Sequence, residues 1–154
     1  MRVPTTHGRR FRMKQDFHRL AHSVWDCKYH IVWIPKYRRK ELYGAKRKIV
    51  VATIKQWARI KGIDIIEGHA MPDHIHLCLS IPPKYSVAHA IGLLKGKSAS
   101  EVMSFGTKRS RMVRGRTFWA RGYCVSTVGL DEETVREYIR NQEQKEKLDG
   151  ETEL

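Results

Sequence analysis

No stretch of this 154-residue chain approaches the roughly 18–20 consecutive apolar residues that a membrane-spanning helix needs. The basic N-terminus has no apolar segment behind it, so it does not read as a secretory signal. Cysteine is scarce: there are three, widely spaced and without a CxxC pair. That argues against a disulfide framework or a cysteine zinc site and for reduced, buried thiols. These absences make the cytoplasm the expected compartment and a membrane partner unexpected. Internal repeats and low-complexity linkers are also missing. Acidic residues are outnumbered, 16 Asp and Glu against 30 Lys and Arg, for a net charge of +14.

What is present suits one globular domain, since 41 % of the residues are hydrophobic and the length suffices for a real core. The positive charge is concentrated. Residues 1–48 hold 14 basic and 3 acidic side chains, and residues 95–121 hold 8 and 1. Residues 131–154 reverse the balance, with 4 and 9. Two basic blocks point to a polyanionic partner, and nucleic acid is the natural one because phosphate neutralisation supplies affinity. A merely basic soluble protein is the blander alternative.

Residues 1–22 read as a basic arm and 23–154 as the domain. Residues 23–33 alternate, with Trp25, Cys27, Tyr29, Ile31 and Trp33 on one face, which predicts a half-buried strand. Helical spacing over 45–61 is stopped by Gly62, and a short strand follows over 63–68. Met71-Pro72-Asp73 is turn chemistry. Residues 74–81 alternate cleanly: Ile75, Leu77, Leu79 and Ile81 point one way, and His74, His76, Cys78 and Ser80 the other. Ser86 is placed to cap a helix through Val102 that breaks near Gly96. A basic irregular stretch, 106–116, leads to a strand over 118–128. Asp131 then caps a last helix running to about Lys147. The order βαββαβ spells an α+β, ferredoxin-like (RRM-like) sheet with helices on one face, followed by a C-terminal helix. The face away from those helices would receive His30, His74, His76, Cys78 and Ser80.

His74 and His76 are two apart on a strand, so both rings leave the same face and could share a divalent metal. Asp73 beside them could ligate or orient. The plain alternative is two histidines on a wet strand face. Ligand type alone favours zinc or manganese over magnesium. On the last helix Val135, Tyr138, Ile139 and Gln142 form one stripe. Such a stripe suits core packing. It also suits a second use, with Gln142 as a carboxamide ligand one turn from Tyr138. A phenol of pKa about 10 is a poor nucleophile until a metal and basic groups assist it.

Several stretches, taken together, resemble the single-tyrosine HUH transposases of the insertion-sequence 200/605 type. They are Trp25-Asp26-Cys27-Lys28-Tyr29-His30-Ile31-Val32, Pro35-Lys36-Tyr37-Arg38-Arg39, Asp73-His74-Ile75-His76, Ile81-Pro82-Pro83-Lys84, Leu94-Lys95-Gly96-Lys97-Ser98, Phe118-Trp119-Ala120-Arg121-Gly122-Tyr123 and Tyr138-Ile139-Arg140-Asn141-Gln142. The resemblance implies that His74, His76 and Gln142 hold Mg²⁺ or Mn²⁺, an inference that overrides the leaning to zinc. It implies that Tyr138 attacks the scissile phosphate of single-stranded DNA and becomes joined to the 5′ end. The phosphotyrosine keeps the bond energy, so rejoining needs no nucleotide cofactor. Asp73, His30 and Asn141 are possible accessory residues. Lys28, Lys36, Arg38, Arg39, Lys95, Lys97 and Arg121 are the expected phosphate contacts. Family members are homodimers that recognise DNA hairpins, and the terminal helix of one subunit can complete the histidine site of the other, with Gly129 a reasonable hinge. Asn141 is followed by Gln142 rather than proline, which favours the insertion-sequence branch over that associated with repetitive extragenic palindromes.

Two other functions compete. A non-catalytic RRM-like module would display aromatic side chains on its open sheet face, where histidines and polar residues are expected here. An HUH replication or conjugation nickase shares the chemistry but usually carries further domains.

Overall fold

The strict alternation at His74–Ser80 sets the plan of the molecule. Ile75, Leu77 and Leu79 are buried against two helices, and the histidines lie on the reverse face. The computed structural model describes residues 18–19, 24–105 and 117–152. Most of the basic arm, and the irregular stretch 106–116, lie outside them.

In chain order the elements are β1 (His18–Arg19), β2 (Val24–Trp25), β3 (Lys28–Trp33), a 3-10 turn (Lys36–Arg38), α1 (Gly44–Ile60), β4 (Asp64–Met71), β5 (His74–Ser80), α2 (Val87–Phe105), β6 (Cys124–Ser126) and α3 (Glu132–Thr152). The main sheet is antiparallel in the order β4-β5-β3-β6. This is the expected α+β, ferredoxin-like arrangement. One core joins Ile31, Trp33, Ile75, Leu77 and Leu79 of the sheet to Val50 and Ile54 of α1 and Ile91 and Leu94 of α2. Trp33, fully buried, meets Trp119 edge-on at 5.8 Å between centroids. Such a pair contributes about 0.5–1.5 kcal/mol beyond its area. Among the described residues no helix is long and apolar enough to cross a membrane.

Caps fall where the sequence puts them. Ser86 Oγ accepts from His89 N at 3.0 Å, and Asp131 Oδ1 accepts from Thr134 N at 2.7 Å. Five features differ from expectation. The first strand is two pieces, because β2 pairs with β1 whereas β3 pairs with β5 and β6. The short strand expected over 63–68 continues past Gly68 to Met71, paired with β5 on both sides of a register shift between Ile65 and Glu67. Helix α2 runs unbroken through Gly96, carried by the buried Leu94, Ser98 and Val102 around it. The expected strand over 118–128 shrinks to β6. Phe118 and Trp119 are drawn into the helix-side core, and Gly122 turns the chain at φ +82°. Helix α3 also outruns Lys147, with a Glu143–Lys147 pair of 3.3 Å at i,i+4.

The face away from α1 and α2 is only partly open. Val135 and Ile139 of α3 pack on Val32, Ile34 and Ala120, so α3 covers the β3 side and leaves β5 and β4 to line a cleft.

Candidate active site

Register aligns the reverse-face residues in rows. His76 on β5 stands between His69 of β4 and Val32 of β3, and Cys78 between Glu67 and His30. The His76 ring centroid lies 6.0 Å from that of His30 and 6.5 Å from that of His69. His74 begins the strand directly after the turn, and its Nδ1 lies 2.8 Å from Asp73 Oδ1. A carboxylate accepts, so Nδ1 carries a proton toward Asp73 and Nε2 is the ring nitrogen left for another partner. Arg38 Nε donates to Asp73 Oδ2 at 3.3 Å, and Arg38 Nη1 donates to Glu143 Oε2 of α3 at 3.0 Å. One guanidinium therefore ties the histidine turn to the tyrosine helix.

Charge follows from these contacts. Burial pushes the Asp73 carboxyl up, but the hydrogen bonds and charges of His74 and Arg38 outweigh it and hold it below the ordinary carboxylate range. Burial, then the neighbouring His30, His74 and His69, push His76 below the usual imidazole value. His76 is thus neutral at pH 7, the form in which an imidazole ligates. Its hydrogen bond to His69 holds Glu67 low. The hydrogen bond to Glu143 leads in raising Arg38, which stays a cation throughout.

Arg38 comes from an unusual turn. Tyr37 and Arg38 both have left-handed backbones, φ 58° and 49°. Each costs about 1–2 kcal/mol in a residue other than glycine. Surrounding bonds hold the turn: Lys36 N donates to Phe118 O at 2.8 Å and Arg38 N to Pro35 O at 3.0 Å, beside the guanidinium contacts.

The cleft, about 1220 Å³, has Arg38, Asp73, His74 and His76 on one side and Val135, Ile139 and Arg140 of α3 on the other. Tyr138 and Gln142 are not among its lining residues. The Tyr138 side chain is half-buried with Val32, Ile34 and Cys124, its hydroxyl oxygen shielded from solvent. Gln142 Nε2 donates to Arg121 O at 3.0 Å. Among the described residues no three His, Cys, Asp or Glu side chains are grouped to hold a metal. The structure thus brings His74, His76 and Asp73 together and keeps Tyr138 and Gln142 apart from them.

Of the other expected site residues, His30 stands near His76 and the rest are spread out. His30 Nε2 lies 3.7 Å from Cys78 Sγ, and Asn141 is exposed on α3. Lys28 pairs with Asp26 at 3.4 Å. Lys36 and Arg39 flank the Tyr37 ring, Lys97 lies over the Trp57 ring at 4.3 Å, and Arg121 is exposed. Lys95 Nζ donates to Ala120 O and Gly122 O at 2.8 and 2.7 Å, so its ammonium is engaged inside the fold. Sequence reasoning missed Glu67, His69 and Glu143. The first two were legible as an alternation Glu67, His69, Met71 that continues across Gly68.

A ferredoxin-like sheet with a paired-histidine strand, covered on one side by a tyrosine-bearing helix, is the arrangement expected of a single-tyrosine transposase, and similarity to known proteins agrees. The chain belongs to the IS200-like transposase family, which matches residues 23–142. It is 44 % identical over 130 residues to the transposase for insertion sequence element IS200 of Salmonella typhimurium, covering 84 % of this chain and 85 % of that one. It is 30 % identical over 124 residues to the ISDra2 transposase TnpA of Deinococcus radiodurans, covering 80 % and 89 %. A crystal structure from Deinococcus radiodurans R1, assigned as a transposase, superposes with TM-score 0.69 at 26 % identity, covering 81 % of this chain and 97 % of that one. The REP-associated tyrosine transposase bound to a REP hairpin shares the fold, with TM-score 0.52 at 12 % identity over 79 % and 68 %.

Proposed function

We propose that this transposase cleaves and rejoins single-stranded DNA at insertion-sequence ends through a 5′-phosphotyrosine on Tyr138, with Mg²⁺ or Mn²⁺ held by His74, His76 and Gln142. The observation that carries the reading is the histidine pair: two rings on one face of β5, one oriented by Asp73, lining a cleft beside the helix that bears Tyr138. The donor set fits a divalent metal in its first two members. His74 offers Nε2 because Asp73 engages Nδ1, and His76 is neutral at pH 7. The third ligand requires Gln142 to leave Arg121 and α3 to present its stripe to a cleft, its own or a partner subunit's.

When bound, the metal polarises the phosphoryl group and offsets charge as it develops. The protein's residues do the rest. Asp73 and Arg38 hold the His74 ring in position. The Tyr138 oxygen attacks phosphorus, its proton leaves to solvent or a nearby base, and the 3′ oxygen departs as a hydroxyl. Attack by a 3′ hydroxyl reverses the step and frees Tyr138. A hairpin partner is supported by the related REP-associated enzyme, which is bound to one, and by the net charge of +14. A homodimer is one of two ways to bring Tyr138 to a histidine cleft; the other is movement of α3 over its own.

The test uses an end-labelled hairpin with a single-stranded flank, incubated with protein and Mn²⁺. The wild type should form a covalent adduct that survives denaturation, and Tyr138→Phe should form none while keeping its thermal stability. His74→Ala and His76→Ala should bind the hairpin without cleaving it. Adduct formation by the phenylalanine variant, or cleavage by both histidine variants in EDTA, overturns the reading.

A further inference from the structure

Tyr37 is a large aromatic residue, 50 % exposed, in a backbone conformation that favours glycine. A turn optimised only for folding would place glycine or asparagine there, since an exposed ring contributes little to the core and the left-handed φ is costly. Two cations attend the ring: Lys36 Nζ is 5.3 Å and Arg39 Cζ 5.5 Å from its centroid. The next residue, Arg38, reaches into the cleft and holds Asp73 beside His74. An exposed aromatic ring with two cations beside it therefore adjoins, in the chain, an arginine that lines the histidine cleft.

We infer that Tyr37 is a stacking platform for an unpaired base of the DNA strand entering the cleft, with Lys36 and Arg39 taking the adjoining phosphates. This rests on the proposed action on single-stranded DNA. An unpaired nucleotide offers both things the turn presents for, an open π-face and an anionic backbone on either side of it. A duplex hides its base faces in its own stack, so the platform selects single strands. A base landing on the ring displaces a cation from it, and the displaced side chain remains within reach of the neighbouring phosphate. Among the described residues Tyr43 and Phe105 are also exposed, but neither adjoins a cleft-lining residue in the chain as Tyr37 adjoins Arg38. Tyr85 is stacked on His89, at 5.4 Å and 22°. The base so held is next to the cleft, which fixes where along the strand the scissile phosphate falls.

The experiment measures binding in EDTA to two hairpins, one blunt and one with a single-stranded flank. 2-Aminopurine is placed at successive flank positions as a stacking probe. Tyr37→Ala should weaken the flanked hairpin about ten-fold and leave the blunt hairpin unchanged. Tyr37→Phe and Tyr37→Trp should bind as the wild type does. One or two adjacent 2-aminopurine positions should be quenched by the wild type and released in Tyr37→Ala. Tyr37→Gly separates folding from binding: it relieves the left-handed backbone, so it should melt no lower than the wild type yet bind like the alanine variant. Alanine and glycine variants that bind the flanked hairpin normally, or lose both hairpins equally, overturn the inference. So does a flank with no position that responds to loss of the ring. Those results beside a normal wild-type adduct with Mn²⁺ overturn this inference alone, whereas the expected Tyr37 results without any adduct overturn the strand-cleavage reading alone. A wild type that binds neither hairpin overturns both.

Discussion

Lys95 shows how a basic residue can be removed from the surface that its charge suggests. Burial pushes its ammonium down to about 8, and two backbone carbonyls accept from it. Those carbonyls belong to Ala120 and Gly122, and the carbonyl between them, that of Arg121, accepts from Gln142. The lysine thus shapes the loop on which the tyrosine helix docks, which makes it a positioning residue rather than a phosphate contact. Lys95→Met keeps the stem and removes the donors, leaving two carbonyls without them. It should cost about 1–3 kcal/mol in urea denaturation at pH 7. The pH dependence has a definite sign. With a folded value near 8, below the unfolded 10.5, the folded chain binds fewer protons between the two. Stability from this group is full above the unfolded value and falls as pH drops through about 8. The advantage of wild type over Lys95→Met should therefore widen from pH 7 to pH 10. A difference that stays flat would mean that the ammonium is solvated.

At the scale of elements, the β4–β5 hairpin and its turn do most to build the site. Its alternation was legible because one face is wholly apolar, so a slip of one residue would expose Ile75, Leu77 and Leu79. The capped starts of α2 and α3 were legible because Ser86 and Asp131 supply the acceptors their first turns need. Short edge strands were not. β6 takes its three residues from pairing with β3, while the apolar residues before it, Phe118 and Trp119, serve the other layer. The Tyr37–Arg38 turn carries no glycine or asparagine to announce its left-handed backbone. The stripe Val135, Tyr138, Ile139 and Gln142 was visible, but periodicity does not say what a stripe packs against. Here Val135 and Ile139 meet β3, and the polar end finds Arg121. The hairpin also yields a prediction. Asp73 orients His74 and is itself held by Arg38. Asp73→Ala should weaken Mn²⁺ binding about 10–100-fold, as loss of such a carboxylate partner does in histidine metal sites. Titration calorimetry on the protein without DNA reads this directly. An unchanged affinity would show that Asp73 serves the turn and not the metal.

For the whole molecule, the question is which cleft Tyr138 serves. Two polar contacts, Glu143 to Arg38 and Gln142 to Arg121 O, and the packing of Val135 and Ile139 on Val32, Ile34 and Ala120 keep α3 where it is. Either they break as α3 swings over its own cleft, or α3 crosses to a partner subunit. Mixed dimers separate these routes. One subunit carries His74→Ala and His76→Ala, the other Tyr138→Phe, and each homodimer is inactive. If sites form within a subunit, both sites of the mixed dimer are broken. If they form between subunits, one site combines the intact histidines of the second subunit with the intact tyrosine of the first, and the other site is doubly damaged. Random exchange makes half the dimers mixed, each with one working site of two, so cleavage should recover to about a quarter of the wild-type level. The position of the adduct is a sharper readout than the rate. With subunits of different mass, the labelled strand should be attached to the subunit that lacks the histidines, because that subunit supplies the tyrosine. No adduct in a mixture shown by mass to contain mixed dimers would place Tyr138 over its own cleft, and the Arg38–Glu143 contact would then be the one that must open before each cleavage.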